Sequence, residues 1–220
     1  MRKMMVVFCA LCFGFNSLAQ VSEHTNCDGD VSPYQKQYNI SYGDSIITGV
    51  SSKEKLSCTW SVSPESGVTK TNGTGVETGA IVFTKPGDYK INYSIPAHDG
   101  HASKVEVIDV KVSDVSMKVD VSKITFSKKL TSGSVDGIVM KVPVDVKVYG
   151  KNGFVYTTNS FSTTGVSRIA YSLKEGKANL KNGVNYLEYE LTGSIAQPGT
   201  IQFRISMPSG ESIFFNKTVE

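Results

Sequence analysis

The stretch FTKPGDYKINYSI, residues 83–95, limits what this chain can fold into more than any other. A Pro-Gly turn leads straight into Tyr89, Ile91, Tyr93 and Ile95 on every second residue, with Lys90, Asn92 and Ser94 between them. Successive side chains of an extended chain point to opposite faces, so one apolar and one polar face result, as in a sheet buried on one side. Pro sets one backbone dihedral and Gly tolerates the next, so Lys85-Pro86-Gly87-Asp88 reads as a tight turn. The same period of two recurs down the chain, broken by clusters of Gly, Asn, Asp, Ser and Pro, while helical periodicity is nearly absent. The pattern predicts an all-β protein.

Other segments follow the same grammar. KLSCTWSV sets Leu56, Cys58, Trp60 and Val62 on one face, and the polar SPESGVTKTNGTGVETG after it reads as loop with at most a short edge strand. KVEVIDVKV contains a phase slip, because Val105 and Val107 share one parity while Val110 and Val112 take the other. Keeping both pairs inward predicts a β-bulge near Ile108-Asp109. GIVMKVPVDVKVYG sets Ile138, Met140, Val142, Val144, Val146 and Val148 against Lys141, Pro143, Asp145 and Lys147. Pro143 has no N–H for a ladder, which predicts an edge or bulged strand. In the last third, Ile201, Phe203, Ile205 and Met207 of GTIQFRISM are expected to point inward. The polar joint SDVS, residues 113–116, divides the chain into 20–113 and 114–220, each with roughly six to eight strands, the size of one sandwich.

The chain opens MRKMMVVFCALCFGFNSLAQ: Arg2 and Lys3, then an apolar run over residues 4–15, then Ser17-Leu18-Ala19. That is the layout of a secretory signal peptide, too short to serve as a membrane anchor, so residues 1–19 are expected to be removed and the product exported. Phe8 and Leu11 precede Cys9 and Cys12 where lipid attachment wants a small residue, which argues against a lipid anchor. No later stretch is apolar for long enough to span a bilayer as a helix, so the mature protein is expected not to be membrane-spanning. Residues 20–113 carry 8 lysines against 11 carboxylates and residues 114–220 carry 13 basic groups against 9, offsets of −3 and +4. Neither half concentrates charge into a basic stripe, which argues against a nucleic-acid partner. Removal of the leader leaves Cys27 and Cys58. An oxidising compartment favours a disulfide between them, worth about 3 kcal/mol for a loop of about 30 residues, with two free thiols as the alternative.

CTWSVSPESGV and FTKPGDYKINYSI together resemble the tryptophan-bearing strand and the penultimate strand of immunoglobulin-like and PKD-like repeats in exported bacterial surface proteins. The resemblance covers residues 37–112 and implies a β-sandwich with Tyr89 as something like a tyrosine corner. Two departures stand beside it. Ser61-Val62-Ser63 follows Trp60 where PKD repeats carry Gly-Asp-Gly, and Ile91 occupies the place of the inter-sheet cysteine. A disulfide here therefore ties Cys58 to the N-terminal segment through Cys27. NGVNYLEYELTGSIAQPGTIQFRIS, residues 182–206, is similar to adhesin-type repeats, and the tail GTIQFRISMPSGESIFFNKTVE bears a likeness to sorting domains of a Gram-negative secretion system. These resemblances imply two tandem immunoglobulin-like sandwiches in a cell-surface or extracellular protein, with the periplasm as another destination.

Candidate chemistry is sparse. His98, Asp99 and His101 share one hairpin tip and could ligate a divalent ion, although an Asp-Gly turn explains the segment without one. Glu188 and Glu190 alternate onto one face of YLEYEL as a carboxylate pair or, more simply, as the solvent side of a strand burying Leu187, Tyr189 and Leu191. No nucleophile elbow or phosphate-cradling loop occurs, so neither an enzyme nor a cofactor is expected. Exposed aromatics are the better hint of binding, since tyrosine rings stack on sugars or fill protein pockets. Tyr34, Tyr156 and Phe161 are the candidates, with Tyr38, Tyr42 and Phe154 near them. Asp44-Ser45-Ile46 resembles the acceptor for O-glycans on exported Gram-negative proteins, which would modify Ser45. The expectation is a non-catalytic surface binding or assembly module, adhesin-like, whose partners are envelope or extracellular proteins or glycans. The alternative is an accessory carbohydrate-binding subunit of a glycan-handling system.

Overall fold

The computed structural model describes residues 34–50, 58–97 and 102–220. The leader, Cys27 and the His98, Asp99 and His101 tip lie outside them. Apart from one 3₁₀ turn, Val121–Lys123, every regular element among the described residues is a strand. None of them is a helix long and apolar enough to cross a membrane.

Seven strands precede residue 114: β1 (Gln37–Ser41), β2 (Ser45–Ile46), β3 (Thr59–Ser63), β4 (Asn72–Thr74), β5 (Ile81–Val82), β6 (Gly87–Ile95) and β7 (Lys104–Ser113). They form a five-stranded sheet in the order β1-β7-β6-β3-β4, with β2 and β5 paired separately. β1 lies parallel to β7, while the other ladders in that sheet are antiparallel. The alternation of β6 reads through directly, since Tyr89, Ile91, Tyr93 and Ile95 are all buried together with Trp60 and Val62 of the neighbouring β3 and Cys58 just before it. Tyr89 at the start of β6 turns its hydroxyl back to the carbonyls of Lys85 (3.0 Å) and Ser66 (3.3 Å), which pins the entering turn to the strand. Tyr93 donates to the Thr48 carbonyl at 2.8 Å across the core.

The expected bulge at Ile108-Asp109 is absent. β6 and β7 pair without interruption from Gly87–Val112 to Ile95–Lys104, so the parity of β7 never changes. Ile108, Val110 and Val112 point inward, and Val105 and Val107 stay on the outer face, 64% and 36% exposed. A continuous nine-residue ladder outweighs the burial of two valines near a strand end.

Thirteen strands follow, more than the six to eight expected for this half, because short two-residue pairings add to the long ones: β8 (Val115–Val119), β9 (Thr125–Phe126), β10 (Gly133–Ser134), β11 (Val139–Val148), β12 (Gly153–Thr157), β13 (Phe161–Ser162), β14 (Thr164–Gly165), β15 (Ala170–Leu173), β16 (Lys177–Lys181), β17 (Gly183–Thr192), β18 (Ser194–Ile195), β19 (Gly199–Ser206) and β20 (Ser212–Val219). The larger sheet runs β13-β15-β17-β11-β8 with β9 also on β11, and β14-β19-β20 forms a second sheet. Tyr171 of β15 meets Phe203 of β19 edge to face, with ring centres 5.3 Å apart, so the two sheets share one core. This core, over residues 115–219, is separate from that of residues 40–112.

Beyond Gln202 the flank of β19 has no neighbouring strand from β14. Tyrosine hydroxyls from across the core occupy the place. Tyr171 donates to the Arg204 carbonyl (2.8 Å) and accepts from the Arg204 N–H (2.7 Å), and Tyr156 donates to the Ser206 carbonyl (2.8 Å). Strand backbone that would otherwise lie unpaired is thereby satisfied.

The two halves touch where Tyr42 packs edge to face on the exposed Tyr149, with ring centres 5.6 Å apart. Burial raises the pKa of Glu211 there, the like charge of Asp44 adds to the effect, and a hydrogen bond from Ser209 opposes it. A raised carboxyl pKa means that the ionised form weakens the fold above that pKa and that the penalty fades as pH falls through it. Glu211→Gln is therefore expected to raise Tm modestly at pH 7. The gain should shrink as pH drops toward the ordinary glutamate range, as thermal melts from pH 8 to pH 4 would show.

Candidate functional site

A proline inside a central strand opens a hollow on the outer face of the larger sheet. β11 is central, between β17 on one side and β8 and β9 on the other, and its ladder with β17 runs one to one from Val139 to Val146, so the expectation of an edge or bulged strand is corrected. The missing N–H of Pro143 falls where the neighbouring strand is itself interrupted. β8 pairs with Val144–Val148, β9 pairs with Met140 and Lys141, and between them the chain leaves the sheet through the 3₁₀ turn. Only the Asp120 N–H reaches back, to the Pro143 carbonyl at 3.4 Å. A strand without its donor cannot hold a continuous neighbour, and the gap opens a groove.

The groove has a volume of about 680 Å³, within the range of small-ligand sites. Val119, Val121, Pro143 and Val184 give it apolar walls, and Lys118, Asp120, Ser122, Lys123 and Asp145 rim it. Asp120 is held below the usual carboxylate range, first by its bond with Lys123 at 2.8 Å and then by the Ser122 hydroxyl, while Asp120 raises Lys123 in return. Both groups are solvated, so the pair fixes the geometry of the turn and adds little stability.

Tyr186 forms one end of the groove. It stands opposite Pro143 in the β11–β17 ladder and is 53% exposed, with Val184 two residues away at 73%. The Lys141 ammonium lies 4.4 Å from its ring centre and covers one face, a cation–π contact. On the far side of Tyr186 a second hollow, about 240 Å³, is lined mainly by polar groups, among them Lys174, Glu175, Asn179, Asn185 and Glu188. The ring is thus a ridge between an apolar trough and a polar one.

The residues singled out from sequence are dispersed. Tyr34 hydrogen-bonds Glu77, which raises its phenol to about 12, with burial adding to the shift. Tyr156 is buried at 4% exposure with its hydroxyl on Ser206, so it belongs to the core and offers no ring face to a ligand. Phe161 is half-buried on Tyr171, with the Arg204 guanidinium 5.8 Å from its ring centre. Ser45 is exposed at the start of β2. Cys58 is a fully buried thiol, and no disulfide is formed among the described residues. Glu188 and Glu190 lie on the solvent face over buried Leu187, Tyr189 and Leu191. The described residues contain no group of three His, Cys, Asp or Glu side chains placed to hold a metal.

Tyr186 was missed by sequence reasoning, although its signal was available. It shares the parity of Glu188 and Glu190, which places an aromatic ring on the polar face of its strand. An aromatic out of phase with the core is a stronger mark of a surface role than one in a loop. Comparison of the chain with protein-family models and with curated proteins finds no match to either.

Proposed function

We propose that this chain is an exported, non-catalytic binding module of the cell surface, with the groove between Pro143 and Tyr186 as its ligand site. In this reading the leader directs export, and residues 20–113 and 114–220 are two tandem immunoglobulin-like sandwiches. The tyrosine corner at Tyr89 and the strand alternation support that architecture. The observation that carries the functional reading is Tyr186 itself: a half-exposed ring on a rigid ten-residue strand, flanked by two hollows. Rings held this way bind with little loss of side-chain freedom. The partner is an envelope or extracellular polymer, protein or glycan.

The test is retention. Immobilised protein is exposed to envelope and extracellular material from the source cells, beside a Tyr186→Ala variant. The wild type is expected to hold back a polymer that the variant holds about tenfold less strongly, as befits an aromatic hot spot. Equal retention by the two, or none by either, would remove the groove from the function.

A further inference from the structure

Resting on that reading of the groove, we infer that its ligand is a neutral polysaccharide laid across Tyr186. Three features select this chemistry. Lys141 covers one face of the ring, so the ligand meets a single open aromatic face. The axial C–H side of a pyranose fits one such face, since its hydrogens meet the negative face of the ring. The charges around the ridge nearly cancel, with Lys118, Lys123, Lys141, Lys174 and Lys177 set against Asp120, Asp145, Glu175 and Glu188. With so little net field, neither an anionic nor a cationic polymer is favoured, whereas a hydroxyl-rich neutral chain finds donors and acceptors of both kinds. Finally, hollows on both sides of the ridge suit a linear ligand of several units, one sugar on the ring and its neighbours in the troughs.

Affinity electrophoresis in gels containing dextran, laminarin, mannan or, as an acidic control, alginate tests this. At least one neutral polysaccharide should retard the wild type. Tyr186→Ala should weaken that retardation about tenfold or more, and Tyr186→Phe should stay within about threefold because the ring rather than the hydroxyl carries the contact. Val184→Lys, at a site 73% exposed and opposite Asp145 in the ladder, places a long charged side chain beside the ridge and should weaken retardation as well. Retardation by alginate alone overturns the inference, as does an unchanged Tyr186→Ala, or a folded wild type that no neutral polysaccharide slows. If none is slowed while capture from envelope material still depends on Tyr186, the binding module stands and only its glycan ligand falls.

Discussion

Tyr171→Ala is expected to destabilise the second core by about 4 kcal/mol or more, close to the whole stability of many domains. Two losses combine. The ring is 1% exposed and packs against Phe161, Tyr189 and Phe203, so truncation leaves a cavity between the sheets. The hydroxyl also serves both the N–H and the carbonyl of Arg204, and each buried group left unpaired costs about 1–3 kcal/mol. Tyr171→Phe separates the two terms. It keeps the ring, loses only the hydrogen bonds, and should cost roughly 2 kcal/mol. Urea unfolding followed by near-UV circular dichroism of the tyrosines reads both variants. A Tyr171→Phe protein as stable as wild type would show that solvent serves the flank of β19 equally well.

Gly73→Ala is expected to destabilise the first core by about 1–3 kcal/mol, the usual cost of overpacking, and to move the emission of the one tryptophan. Gly73 pairs directly with Trp60 across β3 and β4. A methyl group on Gly73 would sit 2.7 Å from Cε2 of the indole and closer still to Cζ2, inside the distance that real contacts show. Trp60 is 5% exposed, so the strand or the rigid ring must yield. The expected readout is a red shift of Trp60 fluorescence with a lower unfolding midpoint, while tyrosine signals from the second core are unchanged. Unshifted emission at wild-type stability would mean that β4 is free to move away at no cost. The indole N–H has no acceptor among the described residues. Trp60→Phe should accordingly cost less than the truncation Trp60→Ala, which removes about 3–5 kcal/mol from a core.

Period two was enough to read the inward faces of β3, β6, β11, β17 and β19, because a half-buried sheet forces that alternation on its sequence. It failed at β7, where the expectation that Val105 and Val107 point inward led to a bulge that the ladder does not contain. Apolar residues near a strand end carry less information than an intact ladder, and part of any protein surface is apolar. Pro143 was legible as a break in hydrogen bonding but not in its location. Sequence shows which residue lacks a donor, whereas pairing decides which neighbour must then leave the sheet. The groove follows from that choice, so neither its apolar walls nor the place of Tyr186 beside it could be read in advance. Tyr156 failed for the opposite reason: its loop-like surroundings in sequence conceal a hydroxyl aimed at the Ser206 carbonyl of a strand fifty residues away.

The phenols on β19 have a bearing on how the protein meets other copies of itself. Burial raises the pKa of both Tyr156 and Tyr171, so these groups keep their protons well into alkaline conditions. A foreign β-segment seeking that margin finds its docking points already taken. A fibre formed by swapping or lending strands is accordingly expected to nucleate on a different border of the molecule.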